Sequence, residues 1–189
     1  ARRLGLDVVV VDRATFPRDK ICGDGLTTSA LRELEALGLD PATVPSWLTV
    51  DDVTVRSPNG SEVVLPLPRD RGTYAAVARR SDLDAALVDL ARTSGVEVRE
   101  GRAVTGIDRS DVHALVHTDD GDALRTRYVI AADGMWSPTR RLLGVEETGY
   151  RGEWHAFRQY VRNVSPRAAS ELIVWFEPDL LPGYAWSFP

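Results

Sequence analysis

The chain has 189 residues, 43% of them apolar, and a net charge of −5, which suits a folded protein with a buried core and excludes a disordered or fibrous polymer. No clustered run of Lys and Arg is present to displace counterions, so no nucleic-acid partner is expected. The single cysteine cannot form a disulfide within the chain and suits a reducing compartment, and no apolar run reaches the roughly 20 residues that a membrane-spanning helix needs.

In chain order, Ala1 to Asp7 reads as the last turn of a helix stopped by Gly5, and Tyr184 to Pro189 as an aromatic strand that ends without a polar tail. Both ends look internal to larger units, so the chain is expected to be truncated at both ends. Asp7 to Asp12 holds a run of four valines, the pattern of a strand covered on both faces in a parallel sheet. Asp12 closes it, either as the acid that accepts hydrogen bonds from a ribose in a dinucleotide fold or as an ordinary strand-ending turn residue. The G-x-G-x-x-G turn that should accompany the first reading is absent.

The stretch Thr15 to Leu26 carries Cys22 and places Gly23 and Gly25 with one residue between them. Glycine has no Cβ, so either a ligand approaches the backbone here or the stretch is a polar surface turn. Thr28 to Gly38 has leucines at helical spacing and a glycine stop. Val50 to Arg56 and Val63 to Leu67 flank Pro58-Asn59-Gly60 as a hairpin. Tyr74 to Ala78 reads as a strand, and Ser81 as the N-cap of a helix ending at Gly95, with Arg80 just outside the cap. Val96 to Arg99 reads as a short strand, and Ala103 to Thr126 as a β-meander turning at Asp119 to Asp122.

Arg127 to Ala132 reads as a second buried strand, ending on Asp133-Gly134. Ser137 then caps a helix whose first residue is Pro138. A carboxylate at that strand end and a helix N-terminus beyond it suit a phosphate-bearing ligand, or form a plain strand-to-helix turn. Trp154 to Arg162, Glu171 to Phe176 and Tyr184 to Phe188 read as aromatic strands of a further sheet.

Asp12, Cys22-Gly23-Asp24-Gly25, Arg80, Val104 and Ala132-Asp133-Gly134-x-x-Ser137-x-x-Arg140, in that order, resemble the FAD-dependent oxidoreductases of the hydroxybenzoate-hydroxylase-like fold. Phe16 to Leu26 and Pro182 to Pro189 together resemble the geranylgeranyl reductase family within that group. The resemblance implies an α/β fold: a Rossmann-like FAD-binding domain with a β-meander (1–48 and 74–150) and part of an antiparallel-sheet substrate domain (49–73 and 151–189). It implies FAD as cofactor, with the reductant either NAD(P)H or a ferredoxin-like donor.

By the same resemblance Asp12 binds the adenosine ribose, and Cys22, Gly23 and Gly25 pass close to the flavin. Arg80 contacts the cofactor, Val104 meets the adenine through its main chain, and Asp133 lies near the diphosphate. Tyr184, Trp186 and Phe188 line the substrate cavity; Cys22 is a proton donor, a redox thiol or a packing residue. No metal site is read. The implied activity is saturation of C=C bonds in a polyprenyl chain of a geranylgeranyl lipid or a prenylated quinone, in the cytoplasm or at the membrane surface. A monooxygenase or halogenase of the same fold, or a fragment without catalysis, is the alternative.

Overall fold

The computed structural model describes residues 1–146, 149 and 152–189, and the chain divides into two compact units, 1–16 with 91–156 and 17–90 with 157–189. The functional boundary expected at 150/151 lies outside the described residues.

In the first unit, β1 (Val9–Asp12) pairs in parallel with β7 (Glu97–Glu100), setting Asp12 opposite Glu100. The valine run was expected to be covered on both faces. Val9 and Val10 are instead exposed, because among the described residues this sheet has two strands and a pair cannot bury both of its own faces. Ahead of β1, Arg2–Leu4 makes a short 3-10 turn that Gly5 ends at φ 77°. The meander forms as the spacing predicts: β8 (Val104–Arg109), β9 (Ala114–Thr118) and β10 (Ala123–Thr126) lie in the antiparallel order β10-β9-β8. Its second turn is closed by Thr118, whose hydroxyl donates to Asp120 at 2.6 Å and whose N–H donates to the Asp122 carbonyl at 3.0 Å.

Arg127 to Ala132 is not a strand. It forms no ladder, and Tyr128 and Ile130 are 81% and 85% exposed. A buried parallel strand needs a partner for its backbone groups, and none lies beside this run among the described residues. A short helix α3 (Pro138–Leu142) follows, with Ser137 as N-cap accepting from the Arg140 N–H at 3.1 Å.

The second unit holds two sheets. One is β2 (Gly25–Leu26), β6 (Ala75–Val77) and β3 (Leu48–Val50), with β6 in the middle. The other runs in the order β12 (Ala185–Ser187), β11 (Leu172–Trp175), β4 (Asp52–Arg56), β5 (Glu62–Pro66). The expected strand from Val50 to Arg56 is therefore two strands, and the chain passes from one sheet to the other at Asp51. The second sheet joins a hairpin from 49–73 to strands from 151–189, and it is mixed rather than antiparallel, since β11 runs parallel to β4. Trp154 to Arg162, read as a strand, has no ladder partner and leaves Phe157 96% exposed.

The helix α1 (Thr28–Leu37) is capped by the Thr27 hydroxyl and ended by Gly38 at φ 76°, a conformation that glycine adopts without Cβ strain. The other helix, α2 (Arg80–Thr93), starts two residues earlier than the Ser81 cap predicts, so Arg80 is a helical residue rather than one outside the cap. Leu83 of α2 packs with Leu39, Val44 and Ala78 in the core, against Leu34 of α1 and Trp47. Burying a side chain the size of Leu83 contributes about 2 kcal/mol.

Candidate functional site

The glycine loop is tied to the second unit by main-chain bonds. Gly25 and Leu26 pair with Val77 and Ala76, and Ala78 N–H donates to the Asp24 carbonyl at 3.0 Å. Asp24 itself takes φ 60°, an angle that Asp and Asn tolerate better than other residues bearing a side chain.

Strand alternation on β12 sends Tyr184, Trp186 and Phe188 to one side. Their rings form a row, 5.2 Å between the first two centroids and 6.1 Å between the next. Phe176, which the sequence did not single out, extends the row at 5.8 Å from Tyr184. This row lies on the glycine loop. A Cβ on Gly23 would meet Trp186 at 3.4 Å, and one on Gly25 would meet Phe188 at 2.8 Å. The side of these glycines that a Cβ would occupy is thus filled by the protein's own aromatic rings.

Next to the loop, the Asp84 carboxylate of α2 receives Arg80 through two hydrogen bonds of 2.8 Å and Arg18 through one of 2.7 Å. Partial burial lowers the Arg80 pKa, but the bonds to Asp84 and to the Cys22 thiol outweigh it and raise the value. Arg80 therefore stands between a buried carboxylate and the loop cysteine, not in open solvent.

A second polar cluster escaped the sequence reading. The Tyr160 hydroxyl donates to Asp24 Oδ2 at 2.6 Å. Arg158 donates to Asp19 at 2.5 Å and to the Lys20 carbonyl at 3.2 Å, lies 3.6 Å from Asp24 Oδ2, and stacks 4.3 Å above the Tyr160 ring. Burial first, and then the bond to Asp24, push the Tyr160 pKa up to about 12. These residues are 136 apart in the chain for Asp24 and Tyr160, with no motif linking them. The one available signal was Asp24 itself, an acid between two glycines.

In the first unit, Asp12 ends β1 and its Oδ1 accepts from Ala14 N–H at 2.8 Å. Val104 opens β8, one of the two edge strands of its sheet among the described residues, at an irregularity of the ladder between Val104 and Gly106. Asp133 Oδ2 accepts from Thr139 N–H at 2.9 Å at the start of α3. Desolvation raises the Asp133 pKa, yet bonds from the Ser137 hydroxyl and from Thr139 outweigh it and bring the value down to about 2. Asp12, Val104 and Asp133 belong to this unit, and Cys22, Gly23, Gly25, Arg80, Tyr184, Trp186 and Phe188 to the other.

The family described as FAD binding domain matches residues 2–179. The chain belongs to that family. It is 38% identical to the menaquinone reductase of Mycolicibacterium smegmatis, over all of this chain and 47% of that protein. With the digeranylgeranylglycerophospholipid reductase of Methanosphaerula palustris it shares 29% identity over 98% of this chain and 47% of that one. These relatives agree with the geranylgeranyl reductase resemblance read from the two sequence motifs. A flavoprotein/dehydrogenase from Cytophaga hutchinsonii superposes with a TM-score of 0.75 at 18% identity, covering 99% of this chain and 47% of that one, and so shares the fold. The chain spans about half the length of the curated relatives it matches.

The residue types suit the family's cofactor: Asp12 and Asp133 carry carboxylates, a group that can accept from sugar hydroxyls, and β8 lies at an edge of its sheet among the described residues. On the glycine loop, Asp24 Oδ1 is buried without a partner among the described residues. That atom calls for an N–H or O–H donor. No described helix is long and apolar enough to cross a membrane.

Proposed function

We propose that the whole protein is an FAD-dependent reductase that saturates C=C bonds in the polyprenyl chain of a prenylated quinone or a geranylgeranyl lipid. The observation that carries this reading is the aromatic row of Tyr184, Trp186 and Phe188 lying directly on the Cys22 to Gly25 loop. It couples an apolar wall to the segment assigned to the flavin. The similarity to a menaquinone reductase supports it.

In this reading, residues 1–48 and 74–150 serve the cofactor and 49–73 with 151–189 the substrate. Asp12 accepts from the adenosine ribose, Val104 meets the adenine, and Asp133 faces the diphosphate end. Arg80 and the backbone of Cys22, Gly23 and Gly25 face the isoalloxazine from the side that the aromatic rings leave free. When bound, FAD supplies the hydride. The protein's share is to align the double bond along the aromatic row, to exclude water, and to hold a proton at a side chain near the loop, for which Cys22 Sγ is the candidate. The substrate's length and polarity would bring the protein to a membrane surface.

The test is to incubate the full-length protein with FAD, a chemical or NAD(P)H reductant and menaquinone or a geranylgeranyl lipid, and to weigh the product. A mass gain of one H2 per saturated bond is expected. Failure to hydrogenate any isoprenoid overturns the reading, as does substrate-dependent oxygen uptake with an oxygenated product.

A further inference from the structure

Asp24 carries more charge than its place in the backbone requires. At φ 60° an Asn would serve the turn as well as an Asp, and its main-chain bond to Ala78 is independent of the side chain. Yet the residue is a carboxylate, 6% exposed. One oxygen, Oδ2, is taken by Tyr160 and approached by Arg158. The other, Oδ1, is buried with no partner among the described residues. A buried acceptor is ordinarily paired, so this atom calls for a donor.

We propose that Asp24 Oδ1 is a binding site for an N–H or O–H group of a ligand, with Tyr160 and Arg158 as its positioning residues. The electrostatics narrow the ligand. Asp19 and Asp24 are two carboxylates around the one guanidinium of Arg158, so the cluster has no positive charge to spare and turns away phosphate. It accepts a donor that carries no negative charge. The location narrows it further, because Gly23 and Gly25 on either side of Asp24 lie under Trp186 and Phe188. The donor therefore belongs to a molecule that reaches the aromatic row. Two sources offer it: the flavin, through a ring N–H or a ribityl hydroxyl, and the hydroxyl of a quinol head group. The second source rests on the prenyl-reductase reading; the first rests on family membership alone.

The experiment uses the full-length protein and Asp24→Gly, which tolerates the φ of 60° and removes the acceptor. FAD binding is followed by fluorescence without turnover, and reduction kinetics are measured with menaquinol and with its methyl ether. If the flavin is the donor, the FAD dissociation constant rises about tenfold and the visible flavin spectrum shifts. If the quinol is the donor, FAD binding is unchanged and KM for menaquinol rises about tenfold with kcat within about twofold, while the methyl ether is insensitive to the substitution. A folded Asp24→Gly protein that changes neither overturns the proposal. Should that variant not fold, Tyr160→Phe keeps the carboxylate and removes only its positioning hydroxyl. It is expected to weaken the same arm by about threefold, and no effect on either arm overturns the proposal. A response in FAD binding by a wild-type protein that hydrogenates no isoprenoid upholds the Asp24 site and refutes the prenyl-reductase reading.

Discussion

Phe188 occupies the space that a side chain on Gly25 would need: a Cβ built there lies 2.8 Å from Phe188 Cε1 and 3.0 Å from Cζ. Gly25 is not at a positive φ, so the constraint is steric rather than conformational. Gly25→Ala is expected to force the ring aside and to lower stability by about 1–3 kcal/mol. Gly23→Ala, where Trp186 is 3.4 Å away, should cost less. Chemical denaturation of both variants checks the ranking, and equal losses would argue against the packing described.

Asp84→Ala is expected to be among the most damaging changes in the second unit. It leaves Arg18 and Arg80, both largely buried, without the carboxylate they share. Breaking a buried pair by removing one partner costs about 3–5 kcal/mol; here the partial exposure of the two arginines places the loss near the lower end, about 3 kcal/mol. The melting transition of the variant measures it.

Tyr160 makes the fold sensitive to alkali. Its pKa is raised from the ordinary 10.0 to about 12 in the folded chain, so its contribution is complete below the unfolded value and fades as pH rises between the two. Stability should fall across that window in the wild type and more weakly in Tyr160→Phe. Denaturation midpoints against pH, with tyrosinate absorbance recorded in parallel, check this.

Asp133 acts in the opposite direction. Its pKa is lowered from 3.8 to about 2, so its contribution is present above the unfolded value and is lost as pH falls through the folded one. Asp133→Ala should remove less than about 1 kcal/mol at neutral pH, since the carboxylate is exposed and screened, through the loss of an acceptor for the α3 N-terminus. It should also flatten the acid limb of the stability profile.

Much of the architecture was legible because it is written in local patterns. The helix from Thr28, the hairpin around Asn59, the meander and the Ser137 cap each depend on residues close in sequence. Arg127 to Ala132 and Trp154 to Arg162 failed for the converse reason: their apolar texture suits a strand, but a strand is a relationship with a neighbour, and among the described residues neither run forms a backbone ladder. The crossover at Asp51 did leave a signal that a one-strand reading passes over: the adjacent Asp51 and Asp52 shift the apolar phase between Val50 and Val53. At the candidate site, the motifs named the residues that make the aromatic row and the loop beneath it. They missed Phe176, which joins the row from just beyond the end of β11, and Tyr160 and Arg158, whose role exists only once Asp24 has been buried beside them.

The parallel pairing of β11 with β4 has a kinetic consequence. Thr54 and Glu171, whose side chains hydrogen-bond at the end of this pair, are 117 residues apart. The hairpin of β4 and β5 can form early from local contacts, but its inner edge stays open until the later segment has been synthesised and brought back. Closing so long a loop is entropically costly before any bond rewards it, and such topologies fold slowly. During translation, the β4 edge is therefore the surface most in need of protection from pairing with another chain.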